Sequence, residues 1–265
     1  FSFLPVPIVW LLSIAGAVVF GAAWAFIPAY LQATRGSHVV ITTIMFNFIA
    51  ASLMVFLLVD VIRDTAQMGP HTVALPKEQW FPSFKDFAGL FGIKIRYSPL
   101  NISFLLAIAA SVFVWFLVWK TRWGYEMRAV GHNTQAAIYA GISPYKNIII
   151  AMCISGGLAG LLGVNEILGV HHKIVAGFPA GYGFTGIAVA LMGRNHPIGI
   201  FPAAFLFGIL YQGGSEVTFD MPNITRYMFV AVQGVIILFS GALENLFRPQ
   251  IESFFVNRLN IKASA

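Results

Sequence analysis

The sequence contains little charge and a single cysteine. Only 10% of its 265 residues are Asp, Glu, Lys or Arg, whereas 58% are hydrophobic. A soluble globular domain carries roughly 25% charged residues, so this chain has too little polar surface to coat a water-soluble particle. Cys153 lies within an apolar run and cannot form an internal disulfide. The composition excludes an ordinary soluble domain and indicates a protein surrounded largely by membrane lipid.

Motifs for phosphate binding, catalysis and metal binding are also missing. The sequence has no G-x-x-x-x-G-K-[S/T] phosphate loop, and no Ser/His/Asp or Cys/His arrangement stands out. His171 and His172 are adjacent, but adjacent residues do not share a helix face, and no Cys or carboxylate cluster has ligand spacing. We therefore expect no enzyme activity, no metal and no cofactor. In a membrane protein the net charge of +6 does not indicate nucleic-acid binding.

Long apolar runs are abundant. A membrane helix needs about 20 mostly apolar residues. Five runs reach or approach that length: residues 7–26, 39–59, 100–119, 147–168 and 227–247. The predicted fold class is an all-α, polytopic membrane bundle in which residues 1–265 form a single domain. Because the sequence begins inside an apolar segment without Met, we expect an N-terminal piece with further spans to precede it.

Two shorter apolar pieces lie between the fourth and fifth runs. Residues 186–192 and 198–210 are separated by Arg194-Asn195-His196-Pro197. Each piece is too short to cross a bilayer comfortably, so residues 183–212 are predicted to form a re-entrant pair or broken helices.

The positive charges predict the orientation of the chain. Residues 120–146 contain four Lys or Arg residues and one acidic residue. One Arg follows the first span, and three basic residues follow the last. All of them fall on the cytoplasmic side if residues 183–212 enter and leave by the same face. Residues 121–146 are then cytoplasmic, residues 60–99 form an outer loop, and the chain lies in the cytoplasmic (inner) membrane.

The cytoplasmic segment TRWGYEMRAVGHNTQAAIYAGISPYK, residues 121–146, predicts a short helix with defined ends. Asn133 is a good N-cap, and Gly141 can adopt the left-handed conformation that ends a helix. Ser143-Pro144 then begins the next helix. Ile138 and Tyr139 belong to a partly apolar face. Spacing alone leaves two interpretations: an ordinary surface connection, or a helix that docks into a groove of a cytoplasmic partner.

This segment and the span after it resemble the permeases of the bacterial ABC importers that take up sugars, nucleosides and branched-chain amino acids. The matching residues are Thr121, Gly124, Arg128, Gly131, Asn133, Ala136-Ala137, Gly141-Ile142, Ser155-Gly156 and Ala159-Gly160. Two stretches, VVITTIMFNFIA at 39–50 and GFTGIAVALMGRNHPIGI at 183–200, resemble the nucleoside and simple-sugar branch of the family more than the amino-acid branch.

The resemblance implies a transport subunit that works with separate proteins. Expected partners are a cytoplasmic ATP-binding subunit, a second permease subunit and an external solute-binding protein. It also implies that the ATP-binding subunit acts through Arg128, Gly131, Asn133, Ala137, Ile138, Tyr139 and Gly141. A branched-chain amino-acid permease is the alternative within the family. An ion-coupled secondary transporter, which would use buried acids such as Glu166 and Glu244, is the alternative outside it.

Polar residues inside the spans are candidate contacts for a small polar substrate, because such groups are costly in lipid. Asn47 lies in the middle of the second span, where the alternative role is an interhelical hydrogen bond. Asn165 and Glu166 lie toward the outer end of the fourth span, where Glu166 could instead pair with a residue of the following His171-His172-Lys173. Phe184 could offer an aromatic face to a sugar or nucleoside, or simply pack.

The fourth span also contains small residues at close spacing. Ser155, Gly156, Ala159, Gly160 and Gly163 form a small-xxx-small pattern. Such a pattern predicts close packing against a neighbouring helix.

Overall fold

A computed structural model of the chain describes residues 5–62, 69–84, 100–178, 181–220, 228–229, 231–236 and 238–239. The chain divides into two compact units, Phe1–Ala180 and Gly181–Ala265. Within the described ranges the regular structure is helical, with two isolated β-bridges, and five helices are long and apolar enough to cross a membrane. The predicted all-α, polytopic fold class is confirmed.

The first unit contains four of these candidate spans, each close to a predicted run: Val6–Arg35, Val39–Val61, Ser103–Lys120 and Pro144–His171. Its α-helices are α1 (Val6–Arg35), α2 (Val39–Phe56), α3 (Ser103–Lys120), α4 (Arg122–His132), α5 (Thr134–Tyr139) and α6 (Pro144–Val164). Wider π-helical turns, Leu57–Val61 and Asn165–His171, continue α2 and α6. These are the elements that form both candidate functional regions.

Helices α1 and α6 pack closely along small residues. A β-carbon added to Gly160 would collide with the carbonyl oxygen of Ala17, and one added to Gly21 would collide with that of Gly156. The two helices run antiparallel, because residues later in α1 meet residues earlier in α6. The predicted close packing is confirmed for Gly156 and Gly160. It does not extend to Gly163, where a β-carbon would have no described heavy atom within 4 Å to meet.

The described part of the predicted outer loop, residues 69–84, covers the ends of α1 and α6. The Phe81 amide donates to the Leu168 carbonyl at 2.9 Å, and the Trp10 indole Nε1 donates to the Gln79 carbonyl at 2.9 Å. The loop therefore lies at the opposite end of α6 from residues 121–143, as the alternating topology predicts.

The second unit contains α7 (Tyr182–Met192) and α8 (Pro197–Asp220). In the turn between them Arg194 and Asn195 have φ of 54° and 53°, and the Asn195 amide donates to the Ala190 carbonyl at 2.8 Å. The break at residues 193–196 agrees with the predicted separation of two apolar pieces.

Helix α8 corrects the prediction that both pieces are too short to span. Its apolar part, Pro197–Thr218, has 22 residues and is the fifth candidate span. The helix continues past Leu210 through polar and glycine residues that do not interrupt the backbone hydrogen bonds, whereas the sequence prediction stopped where the continuous apolar character ended. About half of the predicted span at 227–247 lies outside the described residues.

Candidate functional site: an uncharged cavity and an exposed helical segment

Asn47 lines a cavity of about 410 Å³ between α1, α2 and α6. Two aromatic rings, those of Trp24 and Phe46, border it and pack edge to face with their centroids 5.7 Å apart. Among the described residues no hydrogen bond involves the Asn47 side chain. Within this part of the chain the Asn47 side chain is exposed and has its donors and acceptor accessible at the cavity.

Thr43 and Ser155 add hydroxyl groups to the same cavity. Thr43 Oγ1 donates to the Val39 carbonyl at 2.9 Å, which leaves its lone pairs as possible acceptors. Among the described residues that line the cavity, none is charged. An uncharged cavity with an amide, two hydroxyls and aromatic faces is suited to a neutral polar molecule.

Glu166 occupies a different place, a buried polar cluster at the C-terminal end of α6. Its side chain is nearly inaccessible and accepts a hydrogen bond from Asn165 Nδ2 at 3.1 Å, while its second oxygen lies 3.4 Å from His171 Nε2. Asn165 Oδ1 in turn accepts from Ser103 Oγ and from Asn101 Nδ2. The cluster joins the start of α3 to the π-helical turn after α6.

The structure thus favours the pairing interpretation for Glu166 over direct substrate contact. The partner is His171, one of the three residues that the sequence suggested. Sequence reasoning missed Asn101 and Ser103, although two polar residues at the start of the third span were a readable signal. Phe184 lies on α7 in the second unit and is 68% exposed.

The residue that follows the π-helical turn Asn165–His171 contacts the loop of residues 69–84. The His172 ring stacks on Trp80, with centroids 3.6 Å apart and planes 4° from parallel. The His172 carbonyl accepts from the Leu75 amide at 2.8 Å. Burial lowers the pKa of the His172 imidazole, a hydrogen bond with the Leu168 backbone opposes this shift, and the neighbouring His171 lowers the pKa further. Within the described ranges no group of three or more His, Cys, Asp or Glu could hold a metal ion.

Residues 121–146 contain two helices. Thr121 begins α4, and its hydroxyl accepts from the Gly124 amide at 3.2 Å. Asn133 begins α5, and its side chain accepts from the Ala136 amide at 3.1 Å. Gly141 adopts φ of 76° beyond the end of α5. The predicted caps at Asn133 and Gly141 are confirmed, while α4 was missed.

Helix α6 begins at the predicted position, but its first turn is stabilised differently from the prediction. Ser143 is the N-cap of α6 and Pro144 follows at its first position, but the Ser143 side chain makes no capping hydrogen bond. Instead its carbonyl accepts from Asn147 Nδ2 at 3.0 Å. A buried amide from the following turn thus stabilises the start of α6.

Helix α5 presents two apolar side chains and buries a third. Ala137 is 3% exposed, whereas Ile138 is 50% and Tyr139 is 91% exposed. The Ile142 amide donates to the Ala137 carbonyl at 2.9 Å, which ties the helix to the start of α6. The predicted segment residues Arg128, Gly131 and Asn133 are also exposed. The segment can therefore receive a partner while remaining anchored to a spanning helix.

Comparison with protein families identifies the chain. Residues 2–241 match the family described as branched-chain amino acid transport system, permease component. The chain belongs to this permease family. With its apolar helices, membership makes it a multi-pass integral protein of the inner membrane. No solved structure matches the permease.

Three curated relatives illustrate the range of the family. The guanosine permease of Bacillus subtilis is 36% identical over 86% of this chain and 63% of its own length. The nucleoside permease of Lactococcus lactis is 36% identical over 81% and 59%, and the glucose permease of Haloferax volcanii is 33% identical over 92% and 64%. The chain spans about three fifths of the length of these relatives.

Proposed function

We propose that this permease is the membrane subunit of an ATP-driven importer that carries a nucleoside or a simple sugar across the cytoplasmic membrane. The observation that carries the proposal is the uncharged cavity around Asn47, with its aromatic borders at Trp24 and Phe46. The three relatives described above are a guanosine, a nucleoside and a glucose permease, which supports the same class of substrate.

The absence of charge from the lining residues distinguishes between the substrates of the family. A free amino acid carries an ammonium and a carboxylate, and burying either without a charged or dipolar partner is costly. A nucleoside or sugar is neutral and presents hydroxyls, ring nitrogens and flat faces. The Asn47 amide can donate to and accept from such groups, while Trp24 and Phe46 can cover an apolar ring face.

Residues 121–146 are proposed to contact the ATP-binding subunit. Tyr139 and Ile138 would fill an apolar groove on that subunit, and Ala137 and Gly141 would hold α5 in position. An external solute-binding protein would dock on residues 60–99, and a second permease subunit, identical or homologous, would complete the pathway in the membrane.

The mechanism follows from the continuity between α5 and the cavity. Force applied to α5 is transmitted to the start of α6 through the Ala137–Ile142 hydrogen bond and the capped turn. Helix α6 is packed against α1 along glycines and cannot move without shifting that contact. Because α1, α2 and α6 all line the cavity, closure of the ATP-binding subunits would change its access from one side of the membrane to the other.

The test is uptake by the full-length permease expressed with its partner subunits, using labelled guanosine, glucose and leucine. We expect a neutral solute to be transported and leucine to be excluded. Asn47→Leu should raise KM about tenfold through the loss of one hydrogen bond, without loss of stability. Thr42→Val, on the same helix but outside the cavity lining, is the control. Preferential uptake of leucine would support the amino-acid alternative and contradict the proposal.

A further inference from the structure

A second cavity lies at the outer end of the α1–α6 contact, beneath the loop of residues 69–84. It has a volume of about 470 Å³ and is lined by residues of α1, α6 and the loop, among them Ser13, Leu75 and Gln79. Among the described lining residues none is charged, and Ser13 and Gln79 supply the polar side chains. Like the cavity around Asn47, it combines an amide and a hydroxyl without charge, but none of its described lining residues is aromatic.

Gln79 is the residue that distinguishes this cavity from a packing gap. It is only 8% exposed, and its backbone carbonyl is occupied by the Trp10 indole. Its side-chain amide makes no hydrogen bond to any described residue. Gln79 lines the cavity, and its amide is not among the fully enclosed side-chain atoms that lack a partner. Its donors and its acceptor are therefore accessible to a ligand.

The two uncharged cavities are adjacent along the same helix pair. The outer one is bordered by residues 9–17 of α1 and the inner one by residues 21–28, and both include Gly160 of α6. Between them lie the contacts of Gly160 with Ala17 and of Gly156 with Gly21. Two uncharged cavities of similar size are thus separated by this close backbone packing.

We infer that the outer cavity is a second binding subsite for the neutral polar solute, with Gln79 as its recognition residue, and that the α1–α6 glycine contact is the constriction between the two subsites. The inference rests on the proposed transport function and on the predicted outward placement of residues 69–84. The solute would bind first under the loop and pass to the Asn47 cavity when α6 moves relative to α1.

Cysteine accessibility tests the location of the subsite. In a Cys153→Ala background, Ser13→Cys places a thiol in the outer cavity, and Ala110→Cys places one in an apolar cavity between α1, α3 and α6 as the control. A charged, impermeant methanethiosulfonate added outside should modify Ser13→Cys and not Ala110→Cys. A transported neutral solute, guanosine or glucose, should slow the modification at least about twofold at concentrations that occupy half or more of the sites, because an occupied site protects its thiol.

Transport kinetics test the recognition residue. Gln79→Leu keeps the volume but removes the amide, so KM for the neutral solute should rise about tenfold at unchanged maximal rate. Thermal stability of the purified variant should not fall, because the amide has no partner to lose.

The possible outcomes distinguish failure of the proposed function from failure of the second-subsite inference. If the unmodified permease imports none of the neutral solutes, the proposed function fails. If it imports one while solute does not protect Ser13→Cys, or while Gln79→Leu keeps its KM, the outer cavity is a lipid-filled packing gap only and this inference is overturned.

Discussion

Ala137 and Tyr139 lie two residues apart on α5, yet one is 3% exposed and the other 91%. A six-residue helix has little stability of its own, so α5 depends on the buried side of Ala137 and on its caps. The same contacts leave the Tyr139 ring outside, where burying it would require a partner. The helix is thus anchored on one face and open on the other.

Ala137→Glu should uncouple the permease. A carboxylate cannot stay at this buried position without a partner, so α5 should detach from α6, and uptake together with solute-stimulated ATP hydrolysis should fall at least about tenfold. Ala137→Ser, which is small and uncharged, should retain most activity. The measurement is ATPase activity of the reconstituted complex, with membrane insertion checked in parallel. Normal coupling in Ala137→Glu would contradict the role of α5.

Gly141→Val provides an independent test of the same segment. Gly141 has φ of 76°, a conformation that a β-branched residue adopts only under strain. We expect a loss of coupling with membrane insertion intact. Gly16→Val, in α1, has an ordinary backbone conformation and no described heavy atom within 4 Å of an added β-carbon, so it serves as the control for coupling. Retention of wild-type coupling by Gly141→Val would argue against a fixed turn after α5.

The α1–α6 contact should be sensitive to a single methyl group at one glycine and insensitive at another. Gly160→Ala places a methyl group against the Ala17 carbonyl and should destabilise the protein by about 1–3 kcal/mol. Gly163→Ala meets no described atom and should be neutral or stabilising by up to about 1 kcal/mol. Thermal unfolding in detergent measures both. Equal effects at the two positions would show that the contact is not as close as described.

The buried Glu166 cluster should contribute more to stability than a surface ion pair. Glu166→Leu leaves the Asn165 amide and His171 without their acceptor and should cost about 1–3 kcal/mol. Glu126→Gln, which removes the acid of the exposed Arg122–Glu126 pair, should cost about 0.5 kcal/mol or less. The comparison uses thermal unfolding of the two variants. A smaller effect for Glu166→Leu would mean that the cluster does not stabilise the contact between the start of α3 and the π-helical turn after α6.

The His172–Trp80 stack should make the covering loop sensitive to pH. Burial lowers the pKa of His172 below its ordinary value of 6.5, so the folded state prefers the neutral ring. The stabilisation of the folded state that depends on the neutral His172 ring is complete above pH 6.5. It is lost as the pH falls through the lowered pKa of His172. His172→Asn, which tolerates the positive φ of 55°, should reduce this dependence. Unfolding midpoints between about pH 7.5 and 5 measure it; an identical pH dependence in the variant would contradict this assignment.

Sequence patterns predicted the spans of the first unit because hydrophobic length determines which segments can cross lipid. The caps of α5 were also predictable, since Asn133 and Gly141 act through local backbone geometry. The extent of α8 was not, because its later turns contain glycines and polar residues that do not stop a helix. The Glu166 cluster depends on residues more than sixty positions apart, and only the packing of α3 beside α6 brings Asn101 and Ser103 to Asn165.

The energy source for transport is the most direct test of ATP-driven import. The full-length permease would be reconstituted in vesicles with and without its ATP-binding subunit, and uptake of a labelled neutral solute delivered by the solute-binding protein would be measured. We expect uptake with ATP and the complete complex, and none with a proton gradient alone. Uptake that persists on a proton gradient without the ATP-binding subunit would contradict it.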